Sequence, residues 1–175
     1  MPNVGQIISA HNKSVLNKNK PQQSTQPNCN CRNKQQCPLQ NNCLTSSVVY
    51  QATVTRQDNS KAETYIGLTE NTFKTRYNAH ISSFKNETKR NATTLSEYIW
   101  RLKDNNVQHT LKWKIIANAR AYTPTSTRCE LCLEEKFLII HKPLLSTLNK
   151  RNELASTCRH KRKHLLCNFS NKRSL

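Results

Sequence analysis

No acidic residue precedes Asp58, and the whole chain of 175 residues sets 10 Asp and Glu against 28 Lys and Arg, a formal net charge of +18. An imbalance of this size concentrates polyanions, which puts nucleic acid ahead of acidic proteins or membrane headgroups as partner. Glycine is nearly absent, with 2 in the chain. Long apolar runs are absent too: nothing approaches the roughly 18 residues of a membrane-spanning helix. The start of the chain also lacks the charged-then-apolar pattern of a secretory signal. These absences predict a soluble protein of the nucleus or cytoplasm, not secreted and with no membrane partner.

Hydrophobic residues make up 35% of the chain, low for a globular protein, and the polar excess lies before residue 47 and after residue 150. One folding unit is expected in the middle. The organisation reads as a polar disordered leader (1–28), a Cys-rich segment (29–46), an α/β domain (47–152) and a basic tail (153–175). In that tail Lys161-Arg162-Lys163, within Arg159 to His164, suits nucleic-acid binding or nuclear localisation equally. Lys150, Arg151, Arg159, Lys161, Arg162 and Lys163 are the candidate nucleic-acid contacts.

The 8 cysteines, in a chain with no secretory signal, point to metal or free thiols rather than disulfides. Cys29, Cys31, Cys37 and Cys43 lie in a Pro-, Asn- and Gln-rich stretch unable to build a core, so a cross-link would have to hold it. Four thiolates suit tetrahedral Zn²⁺, although the C-x-C opening is tighter than the usual gap, and a linker with reactive thiols is the alternative. A second group opens with Cys129-x2-Cys132, passes His141, and ends in Cys158-Arg159-His160 and His164. It fits a structural Zn²⁺ better than redox work. The plainer reading makes Cys129 and Cys132 small buried residues and His141 a cation at a helix C-terminus.

Val48, Tyr50, Ala52 and Val54 alternate with Val49, Gln51, Thr53 and Thr55, and Glu63 to Leu68 returns after the turn-forming Gln57 to Lys61, which predicts a β-hairpin. Leu111, Trp113, Ile115 and Ala117 alternate with lysines as a third strand. Helices are predicted from about Asn71 to Phe84, from a capping box at Thr94 and Glu97, and from another at Thr127 and Glu130. The order β-β-α-α-β-α implies a small, mainly antiparallel three-stranded sheet flanked by helices.

Several polar residues stand out on this frame. Gly67 falls at a strand end, where backbone freedom and close approach are wanted. Arg76 and His80 share a helix arc with Phe73, Tyr77 and Phe84, and charge on a buried face needs partners. Leu131, Phe137 and Leu138 share one side of the last helix with Glu134, while Glu135 and Lys136 project elsewhere. Glu134 is therefore the carboxylate expected in a half-buried cleft, where it would neutralise an Arg or bind a cation.

Taken in order, Tyr50, Tyr65-Ile66-Gly67, Arg76, His80, Glu134 and Asn149 resemble the GIY-YIG endonuclease superfamily over residues 48 to 152, with Val48 where the family name has its first Gly. A narrower resemblance rests on the Cys-rich lead-in, Tyr98-Ile99-Trp100-Arg101-Leu102-Lys103, Arg128-Cys129-Glu130-Leu131-Cys132, Leu148-Asn149-Lys150-Arg151 and Cys158-Arg159-His160. It is to the C-terminal endonuclease domain of Penelope-like retroelements. That branch implies a Cys-Cys-His-His zinc motif on Cys129, Cys132, His141 and His160. With no reverse transcriptase ahead of the domain, the chain is expected to be a detached fragment of such an element.

The resemblance implies a DNA nickase using Mg²⁺ or Mn²⁺ held by Glu134. Tyr50 would be the general base, its phenol pKa lowered by nearby positive charge, and Arg76 would stabilise the developing phosphoryl charge. Tyr65 and His80 would position water or phosphate, and Asn149 would brace the site. Element RNA, or a reverse transcriptase supplied in trans, would be further partners. Set against this, a zinc-stabilised nucleic-acid-binding module that has lost cleavage keeps the same fold, and a basic zinc protein that binds acidic proteins explains the charge but not the order of residues.

Overall fold

A run of β-branched and small residues alternating in polarity forms the central strand β1, Val48–Arg56. It pairs antiparallel on one side with β2, Glu63–Thr69, and on the other with β3, His109–Asn118, giving the sheet order β2-β1-β3. The computed structural model describes residues 3–18, 28–58, 61–120, 129–150 and 158. Among them the helices are α1 (Val4–Lys18), α2 (Phe73–Lys85), α3 (Thr94–Asp104) and α4 (Glu130–His141). The chain is thus α/β, with a three-stranded antiparallel sheet.

Strand periodicity divides β1 between two cores. Val48, Tyr50, Ala52 and Val54 join Phe73 and Phe84 of α2, Leu95, Tyr98 and Ile99 of α3, and Trp113 of β3. Val49 turns to the other side and packs with Ile66, Leu131, Leu138 and Ile139. Both faces of β1 are therefore covered, and Gln51, almost wholly buried, satisfies its amide by donating to the Leu145 carbonyl at 2.9 Å. Between Val49 and Tyr50 the β1–β3 register slips by a bulge, a device that re-aims a side chain and increases local twist. The outer edge of β2 is closed by the chain after α4: Leu148 N–H donates to the Thr64 carbonyl at 2.9 Å.

Two local expectations are corrected. Residues 4–18 of the supposed disordered leader are helical, because Asn3 and Gln6 cap the helix reciprocally. The Gln6 N–H donates to Asn3 Oδ1 at 2.8 Å and the Asn3 N–H to Gln6 Oε1 at 3.2 Å. Helix α3 is capped by Thr93 rather than Thr94, with the Ser96 N–H donating to Thr93 Oγ1 at 3.0 Å. The N-cap of α4 is Cys129; Thr127 lies outside the described residues.

Candidate active site and metal clusters

Tyr50 is fully buried and its hydroxyl is the meeting point of three elements. Arg76 of α2 donates from Nε to the phenol oxygen at 2.9 Å, and His80, one turn on, has Nε2 at 2.7 Å from it. A guanidinium can only donate, so the phenol oxygen accepts from Arg76; in the Nδ1–H tautomer of His80, Nε2 accepts the phenol's own proton. Burial, reinforced by the charge of Arg76, pushes the His80 pKa down to about 3, which keeps the ring neutral. The expected lowering of the phenol does not occur: burial pushes Tyr50 up to about 12 despite the attraction of Arg76, and the charge of Glu135 adds to the rise.

Gly67 lies directly across from Tyr50 in the β1–β2 register. A Cβ there would meet the Tyr50 hydroxyl at 2.5 Å, its ring carbon at 2.7 Å and the Tyr65 ring at 3.0 Å. Glycine is thus required by close approach and not by an unusual backbone angle. Tyr65 stands edge-on to His80, with ring centroids 5.9 Å apart. It also hydrogen-bonds Arg76: burial alone would lower the Arg76 pKa, but Tyr50 and Tyr65 together outweigh it. Asn149 grips the β2 backbone at Ile66, accepting from its N–H and donating to its carbonyl, both at 2.8 Å. Tyr50, Tyr65, Gly67, Arg76 and His80 thus form one constellation, and Asn149 sits behind it as a brace on β2.

Glu134 and Glu135 are both half-buried on α4. Helical spacing puts Glu135 between Leu131, Leu138 and Ile139, the three buried residues of α4, and its charge acts on Tyr50. Glu134 sits at the margin of that face, and Phe137, expected beside it in the core, is 51% exposed. Helix α4 is apolar on two sides, Leu133, Phe137 and Ile140 forming an exposed stripe, so composition did not mark which side is buried.

Beside Arg76 and His80 a cleft of about 260 Å³ opens between α2 and the start of α3, with Lys89, Ser82 and Thr93 on its walls. Under it runs a hydroxyl chain that sequence reasoning missed. Ser83 Oγ donates to the His80 carbonyl at 2.7 Å and lies 2.7 Å from Ser96 Oγ, which is 2.9 Å from Thr93 Oγ1. No sequence periodicity distinguishes these hydroxyls from surface ones.

The four cysteines Cys29, Cys31, Cys37 and Cys43 converge, their sulfurs within 4.8 Å of one another. Five of the six separations run from 3.3 to 3.8 Å, and a tetrahedron of Zn–S bonds has edges of about 3.8 Å. Backbone N–H groups of Cys31 and Asn41 donate to Cys29 Sγ and Cys37 Sγ at 3.4 and 3.3 Å, as suits thiolates. Burial raises the Cys37 thiol, but N–H donors from Leu39 and Asn41 more than reverse this and bring it to about 7, whereas burial holds Cys43 well above the ordinary thiol value.

A second cluster joins Cys129, Cys132 and Cys158, also within 4.8 Å, with Cys132 and Cys158 sulfurs 3.5 Å apart. Both clusters have donors suited to a metal ion such as zinc. His141 does not take the place expected for it. Because α4 stays helical to His141, nine residues of helix carry that ring about 13 Å along the axis from Cys132, and it stacks on Phe137 at 4.5 Å instead. Cys158, passed over in favour of its neighbours, occupies the position. His160 lies outside the described residues, as do Arg151, Arg159, Lys161, Arg162 and Lys163. Lys150 is exposed and pairs with Glu97 at 3.2 Å.

No protein-family model matches the chain, and neither a curated protein nor a solved structure matches it.

Proposed function

We propose that the chain is a metal-dependent endonuclease of the GIY-YIG type, of the kind found in Penelope-like retroelements, that nicks DNA. One observation carries the reading: the Tyr50 hydroxyl is held between a donor that can only stabilise its anion, Arg76, and a neutral acceptor, His80, in the shadow of Gly67 and Tyr65. A hydroxyl wired in this way can take a proton from water while passing its own to His80. The raised phenol pKa, about 12, and the lowered imidazole pKa, about 3, both disfavour a standing phenolate–imidazolium pair. Both transfers therefore accompany attack on phosphorus, when a bound phosphodiester adds negative charge beside the imidazolium. Arg76 stabilises that charge with the rest of its guanidinium fork. Since Tyr50 is fully covered at rest, substrate entering the cleft beside Arg76 has to draw the guanidinium partly off the phenol.

Glu135, whose charge acts on Tyr50, would supply the hard oxygen donor that Mg²⁺ or Mn²⁺ requires. A divalent ion there would neutralise charge on the phosphoryl and leaving oxygens. The net charge of +18 favours DNA as the polyanion, with element RNA or a reverse transcriptase as partners in the retroelement setting.

The complete burial of Tyr50 and its raised pKa favour a second reading, a nucleic-acid-binding module that has lost cleavage. Conversion of supercoiled plasmid to nicked circles separates the two. The proposal expects nicking with Mg²⁺ or Mn²⁺, none with EDTA, and none from Arg76→Ala or Glu135→Ala. Plasmid binding without nicking under any metal would leave the binding module, and full activity in Glu135→Ala would remove the carboxylate from the site.

A further inference from the structure

The Cys29–Cys43 segment has no regular structure of its own, yet it caps the helix that carries Arg76 and His80. The first backbone N–H groups of α2 have no partner inside the helix. Phe73 N–H donates to the Thr45 carbonyl at 2.8 Å and Lys74 N–H to the carbonyl of Cys43 at 2.9 Å, while Thr75 N–H donates to its own N-cap, Thr72 Oγ1, at 3.3 Å. The Lys74 side chain adds a bond from Nζ to Asn30 Oδ1 at 2.8 Å. One cysteine therefore offers its sulfur to the cluster and its carbonyl to the helix, two residues before Arg76. Cys29, Leu39 and Cys43 are buried in the same core as Tyr50 and Phe73, and the Phe73 ring lies 5.4 Å from that of Tyr50.

We propose that Cys29, Cys31, Cys37 and Cys43 bind one Zn²⁺ as a tetrathiolate centre whose task is to clamp the first turn of α2 and so hold Arg76 against Tyr50. The four thiols lie in a segment of turns with no helix or strand of its own, and the carbonyls of Cys43 and Thr45 are committed to α2. A tetrahedral ion converts the segment into a rigid block. Without the ion, the carbonyls of Thr45 and Cys43 lose their fixed position, the first turn frays, and the Arg76 Nε contact is the nearest functional casualty. The clamp itself does not depend on the proposed nuclease activity; only its effect on cleavage does.

The test reads backbone hydrogen exchange and zinc content of the full chain kept reduced, not activity. Cys31→Ser and Cys37→Ser alter the two half-buried ligands, where serine fits sterically. Each is expected to contain one zinc fewer per chain than the parent. Each should also raise exchange at the Phe73 and Lys74 amides by about tenfold or more while β1 and β2 amides keep their protection. Zinc returned to chelator-stripped parent should restore the slow exchange, and zinc given to the serine variants should not. Unchanged zinc content in both variants, or unchanged exchange at Phe73 and Lys74 after zinc is lost, overturns the proposal. Should the variants lose sheet protection as well, Co²⁺ titration of the stripped parent decides: intense tetrahedral thiolate absorption supports the centre, and its absence overturns it. If exchange changes as expected and the parent never cuts DNA, the clamp stands and the nuclease reading falls.

Discussion

The α-hydrogens of Gly67 face the Tyr50 ring so closely that one methyl group would collide with the hydroxyl at 2.5 Å. Gly67→Ala is therefore expected to push the phenol out of line with Arg76 and His80, reducing nicking at least about tenfold while costing about 1–3 kcal/mol of stability. Urea denaturation beside plasmid nicking measures both. His80 carries a second consequence. Its folded pKa of about 3 lies below the ordinary 6.5, so between those values the unfolded chain holds a proton that the folded chain refuses. The stabilisation from neutral His80 is complete above about pH 6.5 and shrinks as pH falls, by up to about 1.4 kcal/mol per unit. At pH 5 the parent should lose roughly 2 kcal/mol from this group relative to pH 7, and His80→Gln should remove that part of the slope. Parallel pH–stability curves for the two proteins would mean that His80 is not held neutral. Gly67, Arg76 and His80 were legible in the sequence because a polar residue or a glycine kept at strand or helix spacing among apolar ones is costly unless something packs or pairs with it there, and Tyr50 only through the order of residues on which the resemblance rests. The orientation of α4 was not, since the helix offers two apolar sides and only packing selects the one with Leu131, Leu138 and Ile139.

Helix α3 begins with two threonines whose roles sequence alone inverts. The pair Thr94 and Glu97 has the spacing of a capping box, yet the chain enters the helix one residue earlier: Thr93 takes extended angles and its hydroxyl accepts from the Ser96 N–H. The Thr94 hydroxyl is buried and finds no hydrogen-bond partner among the described residues. Thr93→Ala should lower stability by about 1 kcal/mol through the lost cap, whereas Thr94→Val should leave it unchanged or raise it, because an apolar methyl replaces an unsatisfied hydroxyl. Thermal melts of the two variants distinguish the assignments, and the reverse ranking would restore Thr94 as the cap. The strands were readable to within a residue or two at their ends, since alternation survives packing. Helix α1 was not, although Val4, Ile7 and Ile8 fall at helical spacing, because its start depends on the short-range exchange between Asn3 and Gln6.

Among the described residues, two cysteine clusters attach irregular segments to the folded core. The first ties the residues before β1 to α2. The second ties the start of α4 to Cys158, 26 residues beyond Cys132. The sequence marked both clusters by their cysteines, but membership of the second depends on where α4 stops. A helix unbroken to His141 takes that imidazole away from Cys129 and Cys132, and the returning chain brings Cys158 in its place. Loss of a direct ligand should weaken a metal site more than loss of a supporting neighbour, which itself costs about 10–100-fold. Cys158→Ser should therefore give up one zinc to a competing chelator at least about 100-fold more readily than the parent, and His141→Ala should retain it. Chelator competition followed by elemental analysis makes the comparison directly. If His141→Ala releases the metal and Cys158→Ser keeps it, α4 must unwind before His141 in the metal-bound protein and the sulfur grouping at Cys158 is not the ligand set. If neither variant changes the zinc content, the second cluster is a packing of thiols.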